Sequence, residues 1–174
     1  DNKVVYTETV KFGEHPNVAR AATRLPERPG YNFIGWQSDD TEPTVAGPSN
    51  TAEDFTIAKV TDIKAMYTEN EYMIAYTSGP NGQFADGKTL SQFYKGECSF
   101  IAVPDTGYMV DQVKATYTAV DGTQQNIDLT VEAQTAVDHA GTTPVKYTFQ
   151  MPAVQVGTQV KVNATFKPMT FKVS

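Results

Sequence analysis

The heptapeptide Val160-Lys161-Val162-Asn163-Ala164-Thr165-Phe166 alternates apolar and polar residues without a break. Side chains of an extended chain point to opposite faces in turn, so Val160, Val162, Ala164 and Phe166 share one face, while Lys161, Asn163, Thr165 and Lys167 share the other. This is the pattern of an antiparallel strand with one face in a core and one in water. The rest of the chain carries the same bias. Nine Tyr, nine Phe and one Trp occur among abundant Thr and Val, whereas Leu appears only at Leu25, Leu90 and Leu129. Strand formers dominate and the commonest helix-core residue is scarce, which predicts an all-β protein.

Further strand-like runs are read at Val4 to Phe12, Tyr31 to Trp36, Ile63 to Tyr67, Tyr72 to Thr77, Ser99 to Val103, Val113 to Tyr117, Ile127 to Val131 and Lys146 to Gln150. Turn-forming clusters separate them: Arg28-Pro29-Gly30, Gly47-Pro48-Ser49-Asn50, Gly79-Pro80-Asn81-Gly82, Ala85-Asp86-Gly87, Pro104-Asp105-Thr106-Gly107 and Asp121-Gly122. Such dense punctuation predicts short connections and a meander-like order of strands. One helix is expected between Glu14 and Arg24, with Pro16 in its first turn and Val18, Ala21 and Ala22 as a weak apolar stripe. The polar stretch Thr68-Glu69-Asn70-Glu71 separates two similarly built halves. The expected division is therefore 1–70, 71–168, and a segment 169–174 that is the start of a further repeat or a tail.

Composition narrows the function. With 14 Lys and Arg against 20 Asp and Glu, the formal charge is −6, and no basic run or basic face stands out. Nucleic acid and anionic lipid are poor partners for such a surface. No run of 18 apolar residues is present to insert in a membrane, and a single cysteine, Cys98, allows no internal disulfide.

Two blocks carry a family resemblance. In the first half, Thr9-Val10-Lys11-Phe12-Gly13, then Leu25-Pro26-Glu27-Arg28-Pro29-Gly30-Tyr31-Asn32-Phe33-Ile34-Gly35-Trp36, then Val60 to Tyr67 resemble the internalin B-type repeat. The closest correspondence is Gly30-Tyr31-x-Phe33-x-Gly35-Trp36, with Tyr67 closing the last strand where the family commonly has Trp. An Asn-Gly-Gly turn that usually follows the opening strand is missing. In the second half, Phe100 to Val113, with Gly107 and Tyr108 at its turn, and Tyr147 to Pro152 leading to Phe166, with Phe149 between, resemble the divergent form of that repeat. Where the family has a brief hairpin, Thr118 to Pro144 is longer, as extra strands or a protruding loop.

The resemblance implies two small tandem antiparallel-sheet modules, with β-grasp-like folds (the first with one short helix) or small sandwiches, from a secreted protein attached to the cell wall. Its expected partners are neighbouring repeats of the same chain and, in an adhesive role, a host protein or glycan. Residues Gly30, Tyr31, Phe33, Gly35, Trp36, Tyr67, Gly107, Tyr108, Phe149 and Phe166 then serve as a structural motif. Gly30 suits a left-handed turn, Gly35 leaves room for Trp36, and Trp36 covers a small core.

Candidates for chemistry each have a plainer reading. His15 and His139 stand in polar, turn-rich settings, where a surface histidine is the ordinary outcome. Asp39, Asp40, Glu42, Glu53 and Asp54 gather oxygens of the kind calcium prefers, but without the spacing of a calcium loop they read as a solvated acidic loop. Cys98 alternates with Phe100 and reads as a strand residue rather than a nucleophile. The glycines at 79, 82 and 87 are hairpin turns rather than a phosphate cradle, since no helix pattern follows. A Lys-to-Asn isopeptide crosslink from Lys114 or Lys161 to Asn163 would need a buried acid, and both lysines read as solvent-facing. Asn163-Ala164-Thr165 has the form of a glycosylation sequon within a strand. No catalytic residue, cofactor or metal site is predicted, which leaves a spacer or an adhesive module, with Gln37 to Asp54 and Thr118 to Pro144 as the available binding surfaces.

Overall fold

The computed structural model describes residues 3–45, 47–132 and 143–170. Contacts divide the chain into two compact units, Asp1–Glu69 and Asn70–Ser174. Strands make up most of the regular structure in both, so the protein is all-β with one short helix.

In the first unit, helix α1 (Val18–Ala22) precedes strands β1 (Tyr31–Gln37) and β2 (Lys64–Glu69), with a 3-10 turn at Ala52–Asp54 between the strands. The helix is shorter than the 14 to 24 reading. Asn17 caps it, its side-chain oxygen accepting from the Arg20 N–H at 2.9 Å, so the helix starts after Pro16 rather than around it. At the other end Arg24 and Leu25 donate to the carbonyls of Ala21 and Ala22, three residues back, which closes the helix in tighter turns. Val18 and Ala21 face inward and form a core with Trp36 and Phe55; Tyr6, Leu25, Phe33, Ile63 and Ala65 pack around it.

The strand expected from Val4 to Phe12 is absent. Its side chains have strand character, but a strand exists only through its ladder, and the backbone from Val4 to Val10 bonds to no other described residue. The hydrogen bonds begin just beyond it, where Gly13 donates to the Ile57 carbonyl and Ile57 donates to that of Glu14.

The second unit is a sandwich. Its strands are β3 (Glu71–Ser78), β4 (Gly82–Phe84), β5 (Ser91–Phe93), β6 (Glu97–Pro104), β7 (Tyr108–Thr118), β8 (Gln124–Ile127), β9 (Thr130–Glu132), β10 (Val145–Gln150) and β11 (Val160–Pro168). One sheet has the order β4-β6-β10-β9, the other β5-β3-β11-β7-β8. Cys98, Phe100 and Ala102 of β6 and Tyr147 and Phe149 of β10 meet Tyr72, Ile74, Ala115, Val160 and Val162 from the opposite sheet in one core.

This order departs from a meander. β11, last in sequence, lies between β3 and β7, antiparallel to β7 and parallel to β3. The reason is burial. Val160, Val162 and Ala164 are each at most 1% exposed, and a strand with so complete an apolar face belongs at the centre of a sheet, whatever the turns nearest to it dictate. The alternation read from the sequence holds along β11: Lys161, Asn163, Thr165 and Lys167 are all exposed.

Described residues between Thr118 and Pro144 add one edge strand to each sheet. The single strand read from Ile127 to Val131 is instead broken at Asp128-Leu129, where the chain passes from β8 to β9 and Leu129 packs on the core. Residues 133–142 lie outside the described residues, as do 171–174, which hold most of the expected start of a further repeat.

Candidate functional site

The sequence motif of the first unit becomes a turn, a bulged strand and a stack of rings. Gly30, at φ +87°, occupies the left-handed region, and the Tyr31 N–H donates to the Arg28 carbonyl at 3.0 Å, closing the turn that starts β1. Tyr31 stands at the start of the ladder opposite Glu69, half-buried. Between Phe33 and Gly35 the register with β2 shifts by a bulge. The bulge turns Trp36 inward, leaving it 4% exposed, while Ile34 points to solvent.

Gly35 does not serve mainly to make room for the indole. Its φ is +134°, and a Cβ there would lie 2.9 Å from the backbone nitrogen of Ser49. The close approach is the loop's: Trp36 and Ser49 exchange two backbone hydrogen bonds of 2.8 Å each, so the segment after β1 folds back against the bulge. Phe33 then meets Trp36 edge-on at 5.4 Å and Tyr67 at 5.8 Å, and the Arg28 guanidinium lies 4.5 Å from the Tyr67 ring centre. Phe33, Trp36 and Tyr67 are therefore brought together.

The Gln37 to Asp54 segment, read as an exposed loop, is partly inside. Ser38 and Thr41 are buried, Thr41 donating its hydroxyl to the Pro43 carbonyl at 3.2 Å, and Phe55 just beyond is fully buried. Sequence reading missed Phe55; an isolated aromatic between polar residues has no periodicity to mark it.

The second unit repeats the turn chemistry. Gly107 is at φ +84° and the Tyr108 N–H donates to the Asp105 carbonyl at 3.0 Å, opening β7. Phe149 is buried and lies 6.5 Å from Phe100, whose ring also stacks on Tyr147 at 5.3 Å and meets Tyr76 and Phe84 edge-on. Phe166 lies over Gly82, where a Cβ would fall 2.5 Å from its ring. None of these ring contacts is legible from spacing, because the partners come from strands far apart in the chain.

The groups considered for chemistry are dispersed. His15 is exposed, and His139 lies outside the described residues. Cys98 is fully buried in β6, between β4 and β10, and burial, with the nearby Glu97 charge adding to it, pushes its thiol up to about 11. A thiol so placed stays protonated at neutral pH. Burial, and secondarily Cys98, also raises the Tyr76 hydroxyl, which donates to the Thr89 carbonyl at 2.8 Å. In the acidic loop Asp40 pairs with Lys59 at 3.1 Å and the Ser49 hydroxyl donates to Asp54. No three His, Cys, Asp or Glu side chains among the described residues are grouped to hold a metal ion.

Gly87 is at φ +80° and Asn81 at φ +72°, both in turns, and the one described α-helix, α1, precedes them in the chain. Lys114 and Asn163 are directly opposed across β7 and β11, both exposed. On that same solvent face Thr116, Thr118, Gln124, Gln159 and Lys161, with Met73, line a groove of about 580 Å³.

These features define an all-β module whose distinctive residues are spent on turns and core. Residues 25–71 match the family described as the divergent InlB B-repeat domain, the stretch from Leu25 through the motif and β2 to the first residue of β3. The resemblance read from Gly30 to Trp36 is thus borne out there. The match spans 47 of the 174 residues (25 through 71), and the chain outside it is described by its own structure. Repeats of this type occur in bacterial surface proteins. Comparison with curated proteins and with solved structures finds no match to the chain. Among the described residues no helix is long and apolar enough to cross a membrane.

Proposed function

We propose that this chain is a structural module of a secreted, wall-attached bacterial surface protein, a stalk or adhesive element that performs no catalysis. The observation that carries this reading is the fate of the motif: Gly30 makes a turn, Gly35 admits the Ser49 backbone, Trp36 fills the first unit's core and Phe149 the second's. The second unit, on this reading, is a more divergent repeat, supported by the shared Gly-Tyr turn opening β1 and β7. Among the described residues nothing reactive converges: Cys98 is sealed in the sandwich and His15 faces solvent.

Direct binding of a host glycan or protein is the second reading. The groove on the β3-β11-β7-β8 face favours it, since its hydroxyls, amides and lysine are the groups that recognise polar ligands. Titrating the labelled chain against a glycan panel and host extracellular proteins separates the two. A spacer gives no saturable binding up to about 100 µM, whereas binding at micromolar concentration that Gln124→Ala and Lys161→Ala weaken moves the assignment to a receptor-binding module.

A further inference from the structure

Residues Val4-Val5-Tyr6-Thr7-Glu8-Thr9-Val10-Lys11-Phe12 have the composition of a strand without a ladder. From Val4 to Val10 no backbone N–H or carbonyl bonds to another described residue. Side chains hold the segment in place instead. Tyr6 rests on the first unit's core with Arg20 5.7 Å from its ring centre, its hydroxyl donates to Glu8 at 3.0 Å, and Glu8 accepts the Asn17 N–H at 2.6 Å. Val4 and Phe12 are left 77% and 84% exposed.

The same unit contains the complementary feature. β2 pairs with β1 along one edge, and no described strand covers the other. A two-stranded sheet is marginal, and an uncovered edge is a template for another strand. Charge selects the orientation. Lys3 and Glu8 are five residues apart, as are Lys64 and Glu69. An antiparallel alignment with Lys3 opposite Glu69 also sets Glu8 opposite Lys64, giving two attractive pairs. The parallel alignment opposes Lys3 to Lys64 and Glu8 to Glu69, giving two repulsive ones. In the antiparallel register Val5 falls opposite Tyr67 and Thr7 opposite Ala65, which continues the apolar face that β2 shares with Phe33.

We propose that residues 3–8 of one copy add antiparallel to β2 of a second copy. Each copy carries both the strand and the edge, so a two-fold pair satisfies both sets of backbone groups and closes on itself. The first units are then a homotypic contact site, independent of whether the module is a spacer or a receptor binder.

Sedimentation velocity of the full chain between about 5 and 500 µM, with amide hydrogen exchange on the same samples, tests this. The expected result is a monomer–dimer equilibrium in which amides within residues 4–8 and of β2 gain protection together as dimer forms. Prolines at both Val4 and Val5 remove donors on either side of the strand and should weaken association at least tenfold, with the near-ultraviolet circular dichroism of Trp36 unchanged. Lys3→Glu and Glu69→Lys should each weaken it about fivefold, and the two combined should restore it. A monomer at every concentration overturns the proposal, whether the amides of 4–8 exchange freely or are protected by pairing within their own chain; so does a dimer indifferent to these substitutions.

Discussion

Gly35 is the residue on which the first unit turns. At φ +134° an L side chain is strained by roughly 1 to 3 kcal/mol, and here the added methyl would also press on the Ser49 backbone, which is tied to Trp36 by two hydrogen bonds and has little room to retreat. Gly35→Ala should therefore lower the melting temperature of the first unit as seen by Trp36 fluorescence, and Gly30→Ala, at φ +87°, should also lower it through backbone strain. Truncating Trp36 to Ala removes the largest ring of a small core and should cost about 3 to 5 kcal/mol in denaturant titration followed by circular dichroism. In the second unit Gly82→Ala is predicted to be as damaging as Phe166→Ala, since the new methyl would occupy the space of the Phe166 ring. Combining the two should cost less than their sum, which a double-mutant cycle measures.

At the scale of elements, β6 couples packing to pH. Its Cys98 thiol lies above the ordinary value of 9.0 at about 11, so between those values the folded state holds a proton that the unfolded state has released. The stability this contributes is fully present below pH 9 and is lost as pH rises toward 11. Thermal melts of the chain from pH 8 to 11 should show a progressive fall that is smaller in Cys98→Ala, with the raised Tyr76 hydroxyl supplying part of the remainder. β11 was also the element most legible in the sequence. In β11 the alternation of Val160, Val162 and Ala164 with charged and polar residues decides both strand and face, because a one-residue slip would expose the entire apolar set. The segment from Val4 to Phe12 reads nearly as well and forms no strand, because pairing needs an edge in reach and propensity supplies none.

For the whole molecule, two separate clusters of buried residues, one around Trp36 and Phe55 and one around Phe100 and Val162, predict two unfolding events. Trp36, the protein's one tryptophan, reports on the first unit alone. Its fluorescence should change at lower denaturant than the far-ultraviolet signal dominated by the larger sandwich; coincident curves would mean a single cooperative fold. The β class, the Gly-Tyr turns at Gly30 and Gly107 and the inward face of β11 were written in local chemistry, since each depends on residues within a few positions of one another. The insertion of β11 between β3 and β7, the approach of Ser49 to Gly35, the seating of Phe166 on Gly82 and the burial of Phe55 depend on groups tens of residues apart, and only the packed structure decides them, because shape and burial act between neighbours in space and leave no period along the chain.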